Sequence, residues 1–102
     1  MTIKVTDAPE AHRFEARVDG QLAGFLAYQR RPEALELVHT EVLSEFEGKG
    51  VGSVLIRHVL DGVRARGDVI IPMCPFVAEF IRRHPDYADL VAARYRAAVE
   101  PK

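Results

Sequence analysis

The sequence predicts an α+β fold: a mixed, mainly antiparallel sheet of about five strands, a strand–helix–strand crossover and C-terminal helices. Alternating apolar and polar residues, separated by tight turns, fill the first third of the chain, as expected for antiparallel strands. Leu35–Leu43 is followed by a glycine turn and, from Ser53 to Arg66, by apolar residues recurring every three to four positions, as in a helix. A short apolar run, Val69–Ile71, is typical of a buried parallel strand.

The antiparallel part of the sheet is predicted from segments rich in strand formers and from the turns between them. Asp19-Gly20 is a strong hairpin signal, and Gly24 predicts a bulge or a close backbone approach within the next strand. Because the connections are too short for crossovers, neighbouring strands must run antiparallel. The segments are Ile3–Thr6, Phe14–Val18, Leu22–Tyr28 and Leu35–Leu43.

The crossover helix has a clear predicted end. Arg64 and Arg66 lie in its last turn, where cations favour the helix dipole, and Gly67 follows where a left-handed cap is common. The crossover should be right-handed. Its glycine turn then lies at the carboxyl end of the preceding strand, where open sheets with crossovers bind ligands.

The C-terminal part is predicted to be helical. Pro75 suits the first position of a helix, and Phe80 and Ile81 contribute to its apolar face. Pro85 should end this helix. The alanine-rich segment Leu90–Val99 predicts a further helix, which would cover the sheet edge or form a dimer contact.

Composition narrows the class of protein. The chain has 102 residues, 48% of them apolar, which predicts a single domain over residues 1–102 with one core. The net charge of −1 argues against a nucleic-acid partner. There is no run of membrane-spanning length and no signal-peptide pattern at Met1, so we expect a cytoplasmic protein with no membrane partner.

The sequence offers no metal site. Cys74 is the only cysteine, so an internal disulfide and a cysteine-rich metal centre are excluded. His12, His58 and His84 have no ligand spacing with one another or with Cys74.

The glycine turn is the strongest functional signal. Gly48, Gly50 and Gly52 alternate at a helix start, where uncovered N–H groups and the helix dipole attract a phosphate or another anion. The turn is not a P-loop, because Lys49 is not in the Gly-Lys-Ser/Thr position, and Ser53 breaks the dinucleotide fingerprint. A purely structural, flexible helix start is the alternative.

The motifs together resemble the GNAT superfamily of acyl-CoA N-acyltransferases. The resemblance covers about Phe14 to Val91, and its most specific part is the strand Leu37–Val42 with the turn Phe46–Gly52. The sequence Cys74-Pro75-Phe76-Val77, with His84-Pro85-Asp86-Tyr87-Ala88, is similar to the small single-domain YjdJ-type branch.

The resemblance implies a fold and a donor site. The sheet should splay after its third long strand, the pantetheine arm of CoA should pair there with the backbone of Val42 and Leu43, and the glycine turn should hold the pyrophosphate. Acetyl-CoA would be the co-substrate, with no metal. Glu47 stands where the family has Arg or Gln, so its side chain should point away from the pyrophosphate. The implied cofactor-binding residues are Val42, Leu43, Glu47, Gly48, Lys49, Gly50, Val51, Gly52 and Ser53.

Two residues are candidates for the chemistry. A Tyr that serves many family members as general acid has no counterpart here, because Phe80-Ile81 stands at about that place. Cys74 lies at a helix start and would be an acyl acceptor or the acid for the leaving thiolate; otherwise it is an ordinary core thiol. His39 would be a base toward the amine or toward Cys74, or a cross-strand packing residue, with Glu41 as a second base on the same strand face.

The resulting hypothesis is transfer of an acetyl group from acetyl-CoA to an amine. A protein lysine, a polyamine, an amino acid or an antibiotic would each be a possible acceptor. The alternatives are a non-catalytic module that binds CoA or acyl-CoA and a protein-interaction module. We expect a monomer or a weak dimer whose partner is a small-molecule or protein amine. Lys49, Arg82 and Arg83 are candidate contacts for the CoA phosphates.

Overall fold

The computed structural model describes residues 1–101. Two α-helices, α1 (Val51–Arg66) and α2 (Pro75–Arg83), accompany one sheet. The strands are β1 (Ile3–Ala8), β2 (Arg13–Val18), β3 (Gln21–Arg30), β4 (Leu35–Val42) and β5 (Ile70–Pro72). Their order in the sheet is β1-β2-β3-β4-β5, antiparallel except for the parallel pair β4 and β5. The predicted mixed, mainly antiparallel α+β fold is confirmed.

The hairpin between β2 and β3 turns at the predicted dipeptide. Asp19 and Gly20 have φ angles of 49° and 88°, as a tight turn between right-twisted strands requires. The prediction for Gly24 is also confirmed, because a Cβ atom there would lie 2.7 Å from the backbone oxygen of Glu41. The register shifts between Ala16 and Arg17, close to the position where Gly24 pairs.

Helix α1 covers one face of the sheet and forms the core with it. The apolar side chains Leu26, Leu37 and Ile70 on that face of the sheet are fully buried. Burying one such side chain contributes about 1.5–3 kcal/mol. Gly67 ends the helix with φ 68° and donates to the carbonyl of Arg64, as predicted. The buried residues of α1 are Val51, Gly52, Leu55, Ile56, Val59, Leu60 and Val63.

Strands β4 and β5 are paired only at one end. Residues Leu35–Leu37 of β4 pair with Ile70–Pro72, after which the chain turns away toward α2. The amide of Cys74 makes a last contact by donating to the carbonyl of Leu37 at 2.9 Å. Beyond that point a gap opens beside β4, which we call the β4–α2 gap. The predicted splay of the sheet is thus present.

The C-terminal segment differs from the prediction. The helix predicted over Leu90–Val99 is present only from Ala93 to Val99, as a 3-10 helix, and another 3-10 helix, Pro85–Leu90, precedes it. Between them Val91 bridges Ile70 in parallel, and the amide of Ala92 donates to the carbonyl of Ile70. Pairing with the free edge of β5 uses backbone groups that a continuous α-helix would need, and it covers that edge.

The opposite face of the sheet carries a connected row of partly exposed side chains, which we call the polar face. Arg13 bridges Glu15 and lies over the ring of Phe25, 4.6 Å from its centre. The ring of Phe25 in turn lies 6.1 Å from that of His39.

Within residues 1–101, no helix combines the length and the apolar character needed to cross a membrane.

Candidate functional site

A cavity of about 240 Å³ lies where β4 ends and α1 begins. It brings together most of the residues predicted to bind the cofactor, and two phenylalanines, Phe46 and Phe76, also line it. Its walls are Val42, Phe46, Glu47, Gly48, Gly50, Val51, Gly52, Ser53 and Phe76. We call this space the turn cavity.

The start of α1 is left open toward the turn cavity. The N-cap residue, Gly50, has no side chain that could cap α1, and no acidic residue occupies the first turn of this helix. The first hydrogen bond within the helix runs from the amide of Val54 to the carbonyl of Gly50, at 3.1 Å. The amides of residues 51–53 therefore have no partner within the helix and leave its positive end available to an anion.

Two of the glycines are required by the backbone of the turn. Gly48 and Gly50 have φ angles of 78° and 79°, which other residues rarely adopt. Nothing lies within 4 Å of a Cβ atom built on either one, so both border open space. Glu47 is exposed and its φ is −62°, so the turn tolerates a side chain at this position. Lys49 is exposed but does not line the cavity.

The prediction that both Val42 and Leu43 offer backbone groups to a ligand needs correction. The Leu43 amide donates to the carbonyl of Ala23, and its carbonyl accepts from the amide of Phe46, each at 2.8 Å. Both backbone groups of Leu43 are therefore already used within the protein. Since neighbouring residues of a strand point their backbone groups to opposite sides, those of Val42 face the β4–α2 gap.

Phe76 forms a boundary that the sequence analysis did not assign to the site. It is 49% exposed, and its ring lies so close to Gly52 that a Cβ atom there would be 3.0 Å away. On its other side lies a second cavity of about 490 Å³, which we call the α2 cavity. The α2 cavity is lined by Ser53, Pro75, Phe76, Glu79, Phe80, Arg83 and His84.

The arginines at the end of α2 differ in availability. Arg82 is bonded to Glu79 and to the backbone oxygen of Ala98, and only a quarter of its side chain is exposed. Arg83 also pairs with Glu79, but 74% of its side chain is exposed and it lines the α2 cavity. Of these two predicted phosphate contacts, only Arg83 is exposed enough to reach a ligand.

Cys74 lies at the inner end of the β4–α2 gap. It is 2% exposed and is the N-cap residue of α2. Its sulfur lies 3.3 Å from the hydroxyl of Thr40, a hydrogen-bonding distance in which either atom can donate. Thr40 was missed from the sequence, although strand alternation places its side chain on the same face as that of Val42. The thiol is thus buried and held by one polar partner.

His39 lies on the other side of the sheet from Cys74. It belongs to the polar face, with Nε2 3.5 Å from a carboxylate oxygen of Glu41, and its side chain is 59% exposed. The prediction that His39 and Glu41 share a strand face is confirmed. Because Thr40 points to the opposite face and contacts Cys74, the alternative in which His39 deprotonates Cys74 is wrong.

Each of the comparisons with known proteins matches an acetyltransferase. A family model described as GCN5-related N-acetyl-transferase matches residues 13–90. Streptothricin acetyltransferase of Streptomyces lavendulae is 45% identical over 51 residues, which are 48% of this chain and 27% of that protein. The ribosomal-protein-alanine N-acetyltransferase from Brucella melitensis biovar Abortus 2308 superposes with a TM-score of 0.56 and 28% identity, over 79% of this chain and 62% of that one.

The match over residues 13–90 takes in β2 to β5, both α-helices, the turn cavity and the β4–α2 gap. The chain spans roughly a quarter of the curated relative and less than two thirds of the solved one. Its motifs, sheet order and family-model match all point to one superfamily, as the sequence resemblance predicted. This chain belongs to the GCN5-related N-acetyltransferase family.

Proposed function

We propose that this protein transfers an acetyl group from acetyl-CoA to an amine. The observation that carries the proposal is the open start of α1 at the turn cavity, directly beside the unpaired part of β4. A pyrophosphate held by the amides of residues 51–53 would lead the pantetheine arm along Val42 into the β4–α2 gap. The relatives' names, both acetyltransferases, support the same reaction.

The residues at the turn suit this ligand chemically. The amides of Val51, Gly52 and Ser53 are donors to anionic oxygens, with the helix dipole adding to the attraction. Glu47 is exposed, so its carboxylate can turn toward solvent, as its departure from the family signature requires. The nucleotide end would extend past Ser53 into the α2 cavity, where Arg83 meets a phosphate.

For the chemistry, we assign Cys74 the role of acid. The neutral amine nitrogen attacks the thioester carbonyl; as the carbon–sulfur bond breaks, the nitrogen loses a proton and the departing thiolate takes one up. Cys74 supplies the proton that the thiolate takes up, and the proton lost by the nitrogen returns to Cys74 through Thr40, which lies 3.3 Å away. Burial of the thiol at 2% exposure argues against the alternative, an acyl-enzyme on a freely accessible sulfur.

His39 is the base proposed for the amine. The ammonium form of an acceptor must lose a proton before it attacks, and His39 is exposed on the polar face next to Glu41. The acceptor would therefore approach the gap from the polar face while the donor lies on the α1 side. The ammonium proton would be transferred to His39 on the polar face, and Cys74 would donate its proton on the α1 side.

The direct test is a turnover assay with acetyl-CoA and a panel of amines: a lysine peptide, spermidine, free amino acids and an aminoglycoside. Acetylated product, detected by mass spectrometry, would establish the activity and the acceptor class. Binding of acetyl-CoA without product from any acceptor would overturn catalysis and favour a non-catalytic CoA-binding module.

A further inference from the structure

A third cavity lies at the end of the sheet opposite the turn cavity, and neither the family motifs nor the proposed reaction uses it. It measures about 440 Å³, within the range of small-molecule sites. It includes Leu35 at the start of β4 and Arg66 at the end of α1, whereas the turn cavity includes Val42 and Gly52. Since α1 rises 1.5 Å per residue, about 20 Å separates the two cavities. We call this space the distal cavity.

The floor of the distal cavity is apolar. Phe14 and Leu35 contribute to it, and both are almost completely buried. The ring of Tyr28 extends this floor, with its centre 5.0 Å from that of Phe14. A ligand held here would place an apolar group against these side chains.

A fixed carboxylate lies on one side of the distal cavity. The hydroxyl of Tyr28 donates to a carboxylate oxygen of Asp7 at 2.7 Å. Burial and this hydrogen bond raise the pKa of Tyr28 to about 12. Because the hydroxyl occupies only one of the two oxygens, Asp7 retains acceptor capacity for an ammonium group.

A guanidinium that forms no ion pair within the described part of the chain lines the same cavity. Arg30, another lining residue, is held by Asp68 at 2.7 Å. Arg66, in contrast, enters none of the ion pairs formed within residues 1–101. Its planar donors suit a carboxylate. His12 borders the cavity in a left-handed backbone conformation, with φ 53°, and adds a third polar group.

We infer that the distal cavity is a second binding site, for a free apolar α-amino acid. The geometry that carries this inference is the combination of one fixed carboxylate, one guanidinium outside every ion pair of residues 1–101, and an apolar floor in a single cavity. The ligand's ammonium would meet Asp7, its carboxylate would meet Arg66, and its side chain would lie on Phe14 and Leu35. About 20 Å from the glycine turn, this amino acid would act as an effector and not as the acetyl acceptor.

The test is a calorimetric titration of the full chain with leucine and phenylalanine, without acetyl-CoA, so its outcome does not depend on the proposed function. Each amino acid has two matched probes: its amide, which lacks the carboxylate, and its N-acetyl form, which lacks the ammonium. We expect the amino acid to bind at least about tenfold more tightly than either probe, which corresponds to about 1.4 kcal/mol.

Two variants assign the site. Asp7→Asn and Arg66→Gln should each weaken binding of the amino acid about tenfold or more, whereas Arg17→Gln, on the polar face, should leave it unchanged. Both changes are at exposed residues, so folding is expected to be intact and is checked by circular dichroism. No binding by the wild-type protein, or equal binding by wild type and both variants, would overturn the inference.

Discussion

The hydroxyl of Thr40 and the thiol of Cys74 lie 3.3 Å apart. Their contact connects β4 to the start of α2 across the β4–α2 gap. No other side-chain hydrogen bond within residues 1–101 involves Cys74. In the proposed mechanism, this contact places the proton donor at the inner end of the gap.

We expect Cys74→Ala to lower kcat about a hundredfold, because the leaving thiolate loses its acid, and to change the dissociation constant of acetyl-CoA less than about threefold. Cys74→Ser, which keeps a proton donor of similar size, should retain most of the activity. Steady-state kinetics and a binding titration measure both. Wild-type turnover by the alanine variant, or an acetylated Cys74 detected by mass spectrometry, would contradict the assigned role.

His39→Gln tests the proposed base. A base must be unprotonated to take the ammonium proton, so activity of the wild type should fall as the pH is lowered. The variant should be slower and should lose that acidic dependence of kcat/KM. Glu41→Gln is the matched control, since it alters the neighbouring group and keeps the imidazole. An unchanged pH–rate profile in His39→Gln would exclude His39 from the mechanism.

Two glycine-to-alanine substitutions should have opposite effects on stability. At Gly24 a Cβ atom would lie 2.7 Å from the backbone oxygen of Glu41, so Gly24→Ala should lower the free energy of unfolding by about 2 kcal/mol. At Gly62, inside α1, the nearest atom is the flexible end of Arg66 at 3.3 Å. There alanine should raise the free energy of unfolding by about 0.5–1 kcal/mol.

Urea unfolding of the two variants measures this difference. Equal effects at the two positions would show that the close approach between β3 and β4 is absent in solution. A wild-type value for Gly24→Ala would lead to the same conclusion.

The raised pKa of Tyr28 predicts a loss of stability at alkaline pH. Burial, together with the hydrogen bond to Asp7, raises its pKa to about 12, above the ordinary value of 10.0. A raised pKa means that the folded state favours the protonated phenol. The stabilisation is therefore complete below pH 10 and is lost as the pH rises toward 12.

The measurement is the urea midpoint as a function of pH in wild type and in Tyr28→Phe. The wild-type midpoint should fall more steeply than that of the variant between pH 10 and 12. The ultraviolet difference titration of the two proteins gives the phenol's pKa directly. Parallel midpoint curves, with Tyr28 titrating near 10, would show that the Asp7 contact does not persist in solution.

The fold was predictable because its local signals agree with one another. Asp19-Gly20 and Gly67 adopt the positive φ angles that their positions require, and Val69–Ile71 is apolar enough to mark a buried parallel strand. The start of the C-terminal helix was misplaced, because alanine favours a helix locally whereas pairing of Val91 with Ile70 is a long-range contact.

The site was predictable only where backbone geometry defines it. The glycine turn predicted most of the residues that line the turn cavity, because Gly48 and Gly50 adopt the positive φ angles of the turn and precede the start of α1. The contact of Thr40 with Cys74 depends on how the chain leaves β5, and the faces of β4 depend on a register shift at Ala27. Neither has a signature in the sequence, because both result from pairing between distant segments.

The central claim, that the glycine turn holds the donor, is tested most directly by calorimetric titration with acetyl-CoA of wild type and Gly50→Asp. Aspartate at this N-cap position would occupy the free amides and place a negative charge where the pyrophosphate is proposed to bind. Gly50→Asn has the same size and backbone strain without the charge, and Gly20→Asp is the control at a distant glycine with φ 88°.

The account predicts that wild type and Gly20→Asp bind acetyl-CoA equally, that Gly50→Asp binds at least about tenfold more weakly, and that Gly50→Asn lies between them. Equal binding by wild type and Gly50→Asp, or no binding by a folded wild-type protein, would contradict it.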